Sequence, residues 1–174
     1  MTILETPRLT LRRLTLDDAP FIRDLVNDPA WLEHIGDRNV RTLEDARDYL
    51  RKTALAMYER VGFGMNVVIE KSSGEPIGIC GLVQRDGLED TDIGFAFLPR
   101  YRGQGFALES ARAVLDFGRK TLGLKRIVAI VSAANARSIR ILEEIGLHFE
   151  RMVRLPGDKG EIPLYAWEAA GREP

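Results

Sequence analysis

A chain of 174 residues, 45% hydrophobic and 29% charged, has the size and composition of one globular domain with a single core. Its formal net charge of −1 supplies no general basic field, which excludes nucleic-acid binding by bulk electrostatics. Cys80 is the only cysteine, so no internal disulfide can form, and the two histidines, His34 and His148, are too few and too isolated for a metal cluster.

The opening stretch, Met1 to Leu9, has no apolar region of the signal-peptide kind, and no run approaches membrane-spanning length. A single domain over residues 1–174 is expected, cytoplasmic and without a membrane partner. Arg8 to Leu14 alternates polar and apolar residues, the pattern of a half-buried strand. Thr15-Leu16-Asp17-Asp18 predicts a helix start with Thr15 as N-cap, and Ala19, Ile22, Leu25 and Val26 share one helical face. Asp28-Pro29 ends that helix. Residues 30–41 lack periodicity and read as a loop or short turn. Thr42-Leu43-Glu44-Asp45 repeats the capping pattern and opens a second helix to about Arg60.

Strands follow over Phe63 to Glu70 and Pro76 to Gln84, joined through Lys71 to Glu75, and a third over Asp92 to Leu98. A glycine-containing segment, Arg100 to Ala107, leads into a helix over about Ala107 to Leu122 that Gly123 stops. Arg126 to Val131 is nearly all apolar, as in a strand buried on both faces. Asn135 to Ser138 enters a short helix ended by Gly146. Leu147 to Arg154 and Ile162 to Trp167 are the last strand candidates, with a polar loop between them. The order β-α-α-β-β-β-α-β-α-β-β describes a mixed α/β sheet with helices packed on it.

Glycines between a strand end and a helix start let backbone amides face outward at the helix N-terminus, where a phosphate or pyrophosphate binds. Gly103 and Gly105 meet that description; an ordinary loop before a helix is the plainer alternative. No Lys-Ser/Thr follows them, so a P-loop is disfavoured, and Leu108 stands where the dinucleotide motif needs a third glycine.

The pattern Arg100-x-x-Gly103-x-Gly105, with Ala107 after it, resembles the acyl-CoA pyrophosphate loop of the GNAT superfamily of N-acyltransferases. Thr6-Pro7-Arg8-Leu9-x-Leu11-Arg12-x-Leu14-x-x-x-Asp18-Ala19 resembles the opening of its RimJ/RimL-like branch, the ribosomal-protein N-terminal acetyltransferases and their relatives. Ile93-Gly94-Phe95, Asn135-x-x-Ser138-x-x-x-Leu142 and Gly146-Leu147-x-Phe149-Glu150 match in the right order. The resemblance implies a central mixed, mostly antiparallel sheet with a splayed parallel strand pair and about four flanking helices.

It also implies acetyl-CoA as co-substrate and no metal. The pyrophosphate is then expected on the amides of Arg102, Gly103, Gln104, Gly105, Phe106 and Ala107, with Arg100 in the same motif. The thioester is expected near Phe97 and Leu98, where a backbone N–H holds its oxygen. In the family the asparagine at Asn135 contacts the CoA arm, and the serine at Ser138 resembles the proposed acid for the departing thiolate. Both residues also suit helix capping. Asp92 stands where several GNAT enzymes carry a glutamate base, with Glu89 and Asp90 as alternative bases; a solvated strand-end charge is the other reading. Glu33, His34 and Asp37 occupy the acceptor-lining segment of relatives, where acidic groups attract an ammonium, or they are ordinary loop charges. Tyr165 faces the active site or packs in the sheet.

The function these residues suggest is transfer of acetyl to a primary amine, by direct attack in a ternary complex. The acceptor is a protein N-terminus or a small-molecule amine, and the enzyme a monomer or homodimer. The alternative is a non-catalytic acyl-CoA-binding or sensing domain that keeps only the loop.

Overall fold

The computed structural model of the chain describes residues 1–170. Eight strands form one sheet in the order β1-β2-β3-β4-β5-β6-β8-β7. β1 (Thr2–Glu5), β2 (Leu9–Arg13), β3 (Met65–Glu70), β4 (Pro76–Val83) and β5 (Asp92–Phe97) pair antiparallel in succession. β6 (Arg126–Ile130) lies parallel to β5. β8 (Ile162–Glu168) then inserts between β6 and the edge strand β7 (His148–Val153), antiparallel to both. The sheet is mixed and mostly antiparallel with one parallel pair, as the GNAT resemblance implies.

Helices cover both faces. α1 (Ala19–Val26), α2 (Pro29–His34), α3 (Leu43–Leu50) and α4 (Ala56–Val61) share one core with Val67 and Ile79 of the sheet. α5 (Phe106–Lys120) and α6 (Ala136–Glu144) share the other with Val68, Cys80 and Ile127. Val67 and Val68, like Ile79 and Cys80, go to opposite cores because side chains alternate along a strand.

Both expected capping boxes form. The Asp18 carboxylate accepts from the Thr15 amide at 2.8 Å, and Thr42 and Asp45 exchange two bonds of 3.0 Å. The helix read from Thr42 to Arg60 is α3 and α4 joined by a π-helical turn at Arg51–Leu55. Two elements are additional: β1, and α2 inside the stretch read as a loop. α2 buries Trp31 alone, too little to show periodicity, yet Asp28 caps it and Pro29 occupies its first turn. Among the described residues no helix is long and apolar enough to cross a membrane.

β5 and β6 are registered at a single position, Asp92↔Val128, with the Val128 amide on the Thr91 carbonyl at 3.0 Å. Beyond it the strands part. Arg126, just before that point, binds Asp90 at 2.9 Å, Glu150 at 2.5 Å and Glu168 at 2.7 Å, and so ties β6 to β7, β8 and the loop before β5.

Arg126→Met should lower stability by about 1–2 kcal/mol, less than a fully buried pair because the three acids are partly exposed. The hydrogen bond from Arg126 holds the Glu150 carboxyl below its ordinary value. That contribution is present above the unfolded pKa and lost as pH falls through the folded one. The melting-temperature gap between wild type and variant should therefore narrow below about pH 4. A gap constant from pH 3 to 7 would show that Arg126 acts by packing alone.

Candidate active site

Pro99–Tyr101 forms one 3₁₀ turn after β5, and α5 begins at Phe106. Between them Gly103 and Gly105 hold φ of +77° and +82°, a conformation that L side chains rarely adopt. The amides of Tyr101 and Arg102 are spent on the carbonyls of Leu98 and Pro99. Those of Gly103, Gln104, Gly105, Phe106 and Ala107 donate to no protein acceptor among the described residues. Five consecutive free amides thus precede or open a 15-residue helix, with the positive end of its dipole behind them. Among the described residues, none beyond its chain neighbours has an atom within 4 Å of a Cβ built on Gly103, so the approach is open.

Arg8 of β2's approach braces this loop. It donates to the Gln104 carbonyl at 2.9 Å and to Glu109 at 2.8 Å, with its guanidinium 4.3 Å from the Phe106 ring centroid. The Arg100 guanidinium lies against Tyr101 and has no carboxylate partner among the described residues. The Gln104 side chain is turned back onto the Arg100 carbonyl at 2.9 Å.

The strand edge divides Phe97 from Leu98. Leu98 donates its amide to Ile77 on β4 at 3.0 Å, so that N–H is not available to a ligand. Successive residues of an antiparallel strand point their amides in opposite directions, so the amides of Phe97 and Phe95 face the gap beside β6. The gap opens into a cavity of about 1190 Å³ that reaches the helices on the other face of the sheet. Its wall includes Trp31, His34, Tyr49, Asp92, Asn135 and Ser138. It also includes Val40, from the stretch after α2, and Leu155, Pro156 and Asp158, from the loop between β7 and β8.

Residues 8–148 match the family model of the acetyltransferase (GNAT) domain. The chain belongs to the GNAT acetyltransferase family. The uncharacterized protein YkkB of Bacillus subtilis (strain 168) is 32% identical over 172 residues, covering 96% of this chain and 95% of YkkB. The acetyltransferase structure from Agrobacterium tumefaciens str. C58 is similar at TM-score 0.82 and 27% identity, covering 97% and 95% of the two chains. RimL, a ribosomal alpha-N-protein acetyltransferase solved in complex with coenzyme A, shares the fold at TM-score 0.81 and 20% identity, covering 97% of this chain and 98% of RimL. The match makes the chain an acetyltransferase of that family.

In this acetyltransferase Asn135 is the N-cap of α6: its Oδ1 accepts from the Ser138 amide at 3.2 Å. The Ser138 hydroxyl makes no hydrogen bond among the described residues and stands on the cavity wall. Asp92 is 1% exposed. Its Oδ2 accepts from Arg85 Nε at 3.0 Å, while Oδ1 has no hydrogen-bond partner among the described residues. Burial raises its carboxyl above the ordinary range, and Arg85 opposes that rise. Asp90, its neighbour, is taken by Arg126. Burial likewise raises the Tyr49 hydroxyl, with Arg38 and Arg85 nearby opposing.

Of the three acceptor-side candidates, His34 lines the cavity and Glu33 and Asp37 do not. The Glu33 side chain is 70% exposed, and Asp37 is paired with Arg41 at 2.6 Å. Cys80 is fully buried with its thiol pushed up to about 12, so it packs as a hydrophobe. Tyr165 is buried in the sheet, edge-on to Phe149. Arg85, Tyr49 and Trp31 escaped the sequence reading; a single basic or aromatic residue carries no signal until packing assigns its face. Arg8 lay inside a motif already noticed but gave no hint of its partner, Glu109, 101 residues away.

Proposed function

We propose that this enzyme moves acetyl from acetyl-CoA to a primary amine by direct attack in a ternary complex. The observation that carries the reading is continuity: free amides at the start of α5, then the open edge of β5, then a cavity with Asp92 and Ser138 on its wall. Gly103 to Ala107 and Arg100 would hold the pyrophosphate, and the Phe95 and Phe97 amides would pair with the amide-bearing arm. The cofactor supplies the activated thioester. Asp92 takes the proton of the attacking amine as the N–C bond forms. The Ser138 hydroxyl donates to the thiolate as the C–S bond breaks and takes a proton from solvent in the same transfer, and the Asn135 side-chain amide steadies the arm beside it.

His34 and Trp31 would contact the acceptor, a protein N-terminus or a small amine, between α2 and the segment at Leu155 to Asp158. Glu33 and Asp37 would then act only as distant attraction at the rim. The reading is of a single domain working in the cytoplasm as a monomer or homodimer, without metal, membrane or nucleic acid.

Thiol release from acetyl-CoA against a panel of peptides, amino acid derivatives, amino sugars and polyamines tests it. At least one amine should accelerate release, and Ser138→Ala should then lower kcat about 100- to 10,000-fold with acetyl-CoA affinity unchanged. A loss under about tenfold removes the Ser138 hydroxyl from the proton transfer and leaves only its backbone amide, the donor to the Asn135 cap. Failure of the wild-type chain to bind acetyl-CoA overturns the reading.

A further inference from the structure

Arg102 lies in the glycine loop, yet its guanidinium turns inward. Its Nε and Nη2 donate to the Phe97 carbonyl at 3.1 and 2.8 Å, and Nη2 also donates to Asp28 Oδ2 at 2.6 Å. The same carboxylate oxygen accepts from the Ala30 amide at 3.2 Å and so caps α2. α2 carries Trp31 and His34 on the cavity wall. One side chain therefore joins the residue before Gly103, the end of the splayed strand and the helix on the acceptor side.

The link is withdrawn from water. The Asp28 side chain is 5% exposed and that of Arg102 27%. Separating such a pair leaves a buried carboxylate without its cation, which is strongly unfavourable. The planar guanidinium spans both acceptors at once, a geometry that a single ammonium does not reproduce. Its amide is on the Pro99 carbonyl and its Nε and Nη2 are on Phe97 and Asp28, so these donors of Arg102 are engaged within the protein, unlike the open amides from Gly103 onward.

We propose that Arg102 is a positioning residue that couples occupancy of the glycine loop to the ordering of α2. A phosphate ligand held by the amides of Gly103 to Ala107 restricts the loop. Arg102 shares that restriction with Asp28 and hence with the wall that meets the amine. The coupling is one of shared conformational freedom, so a ligand at one site reduces the ordering still needed at the other. The inference rests on the loop and cavity roles given above.

Trp31 and Trp167 are the two tryptophans, and Trp167 lies on β8 against Arg119. Trp167→Phe thus leaves Trp31 as the sole reporter on α2. The probe is 3′-phospho-ADP, which has the pyrophosphate of coenzyme A without the arm. At saturation it should reduce acrylamide quenching of Trp31 in the Trp167→Phe protein. Arg102→Lys and Asp28→Asn, each in that background, should lose the protection while still binding the probe, with affinity reduced roughly tenfold. Asparagine is as good an N-cap as aspartate, so Asp28→Asn keeps α2 and changes the link to Arg102.

Protection of Trp31 in both folded variants equal to that of the parent overturns the inference, as does a parent that binds the probe with no change at Trp31. A parent that binds neither the probe nor coenzyme A overturns the loop assignment, and the inference with it.

Discussion

Gly103→Glu should weaken coenzyme A binding by roughly a hundredfold or more while the protein stays folded. A carboxylate placed there stands among the free amides, where a pyrophosphate must approach. Unit charges about 4 Å apart near a protein surface interact by about 4 kcal/mol, and each 1.4 kcal/mol is a factor of about ten. The site is open, with no atom of a described residue beyond its chain neighbours within 4 Å of the new Cβ, so the fold bears only the cost of a side chain at positive φ, about 1–2 kcal/mol. Gly103→Ala carries the same backbone strain without the charge and separates the two effects: alanine should weaken binding far less. Gly105→Glu should lose binding too, with a larger drop in melting temperature, because its Cβ would come within 3.2 Å of Arg8. Titration calorimetry and thermal melts on the three variants measure both quantities. Full affinity in a folded Gly103→Glu protein would remove the loop from the site.

Asp92→Asn should reduce kcat by about 100- to 10,000-fold without lowering stability at neutral pH. The two expectations have one cause. Burial raises the folded pKa of Asp92 above its unfolded value. Its favourable contribution is therefore complete below the unfolded pKa, about 3.9, and is lost as pH rises through the folded pKa. At pH 7 the wild-type protein carries that disadvantage and the asparagine variant does not. Arg85, left without its carboxylate, has a side chain 37% exposed and is solvated at little cost. In wild type kcat/KM should climb with pH as Asp92 gives up its proton, and the variant should lose that limb. Rate profiles from pH 4 to 9, with melts at each pH, decide the matter. If kcat changes by less than about tenfold, water removes the amine proton and Asp92 is a structural partner of Arg85.

Local patterns were legible because the interactions that enforce them are local. Thr15 with Asp18 and Thr42 with Asp45 lie three residues apart, so each capping box is complete within its own segment. The glycine loop is likewise self-contained, since its positive φ values and free amides depend on Gly103, Gly105 and the start of α5. The apolar run Ile127–Ile130 of β6 announces burial on both faces before any neighbour is known.

Pairing across the chain was not legible in the same way. The motif led to an expectation that the Arg102 amide holds a phosphate; that amide is on the Pro99 carbonyl, and the side chain meets Asp28, 74 residues earlier, which is also the cap of α2. Glu33, His34 and Asp37 looked alike as a group. Burial of Trp31 sets the rotation of the short helix, which turns His34 inward and leaves Glu33 in solvent. β8 enters between β6 and β7, an order that alternation alone does not encode, since either neighbour suits an apolar strand. Amino-acid order thus determined the elements, their caps, the phosphate-loop pattern and the GNAT resemblance, through contacts a few residues long. Which amides of β5 stayed free at the strand edge, which acid met which arginine and which residues faced the cavity were decided by the packed sheet, because those partners meet only when distant segments are brought to one place.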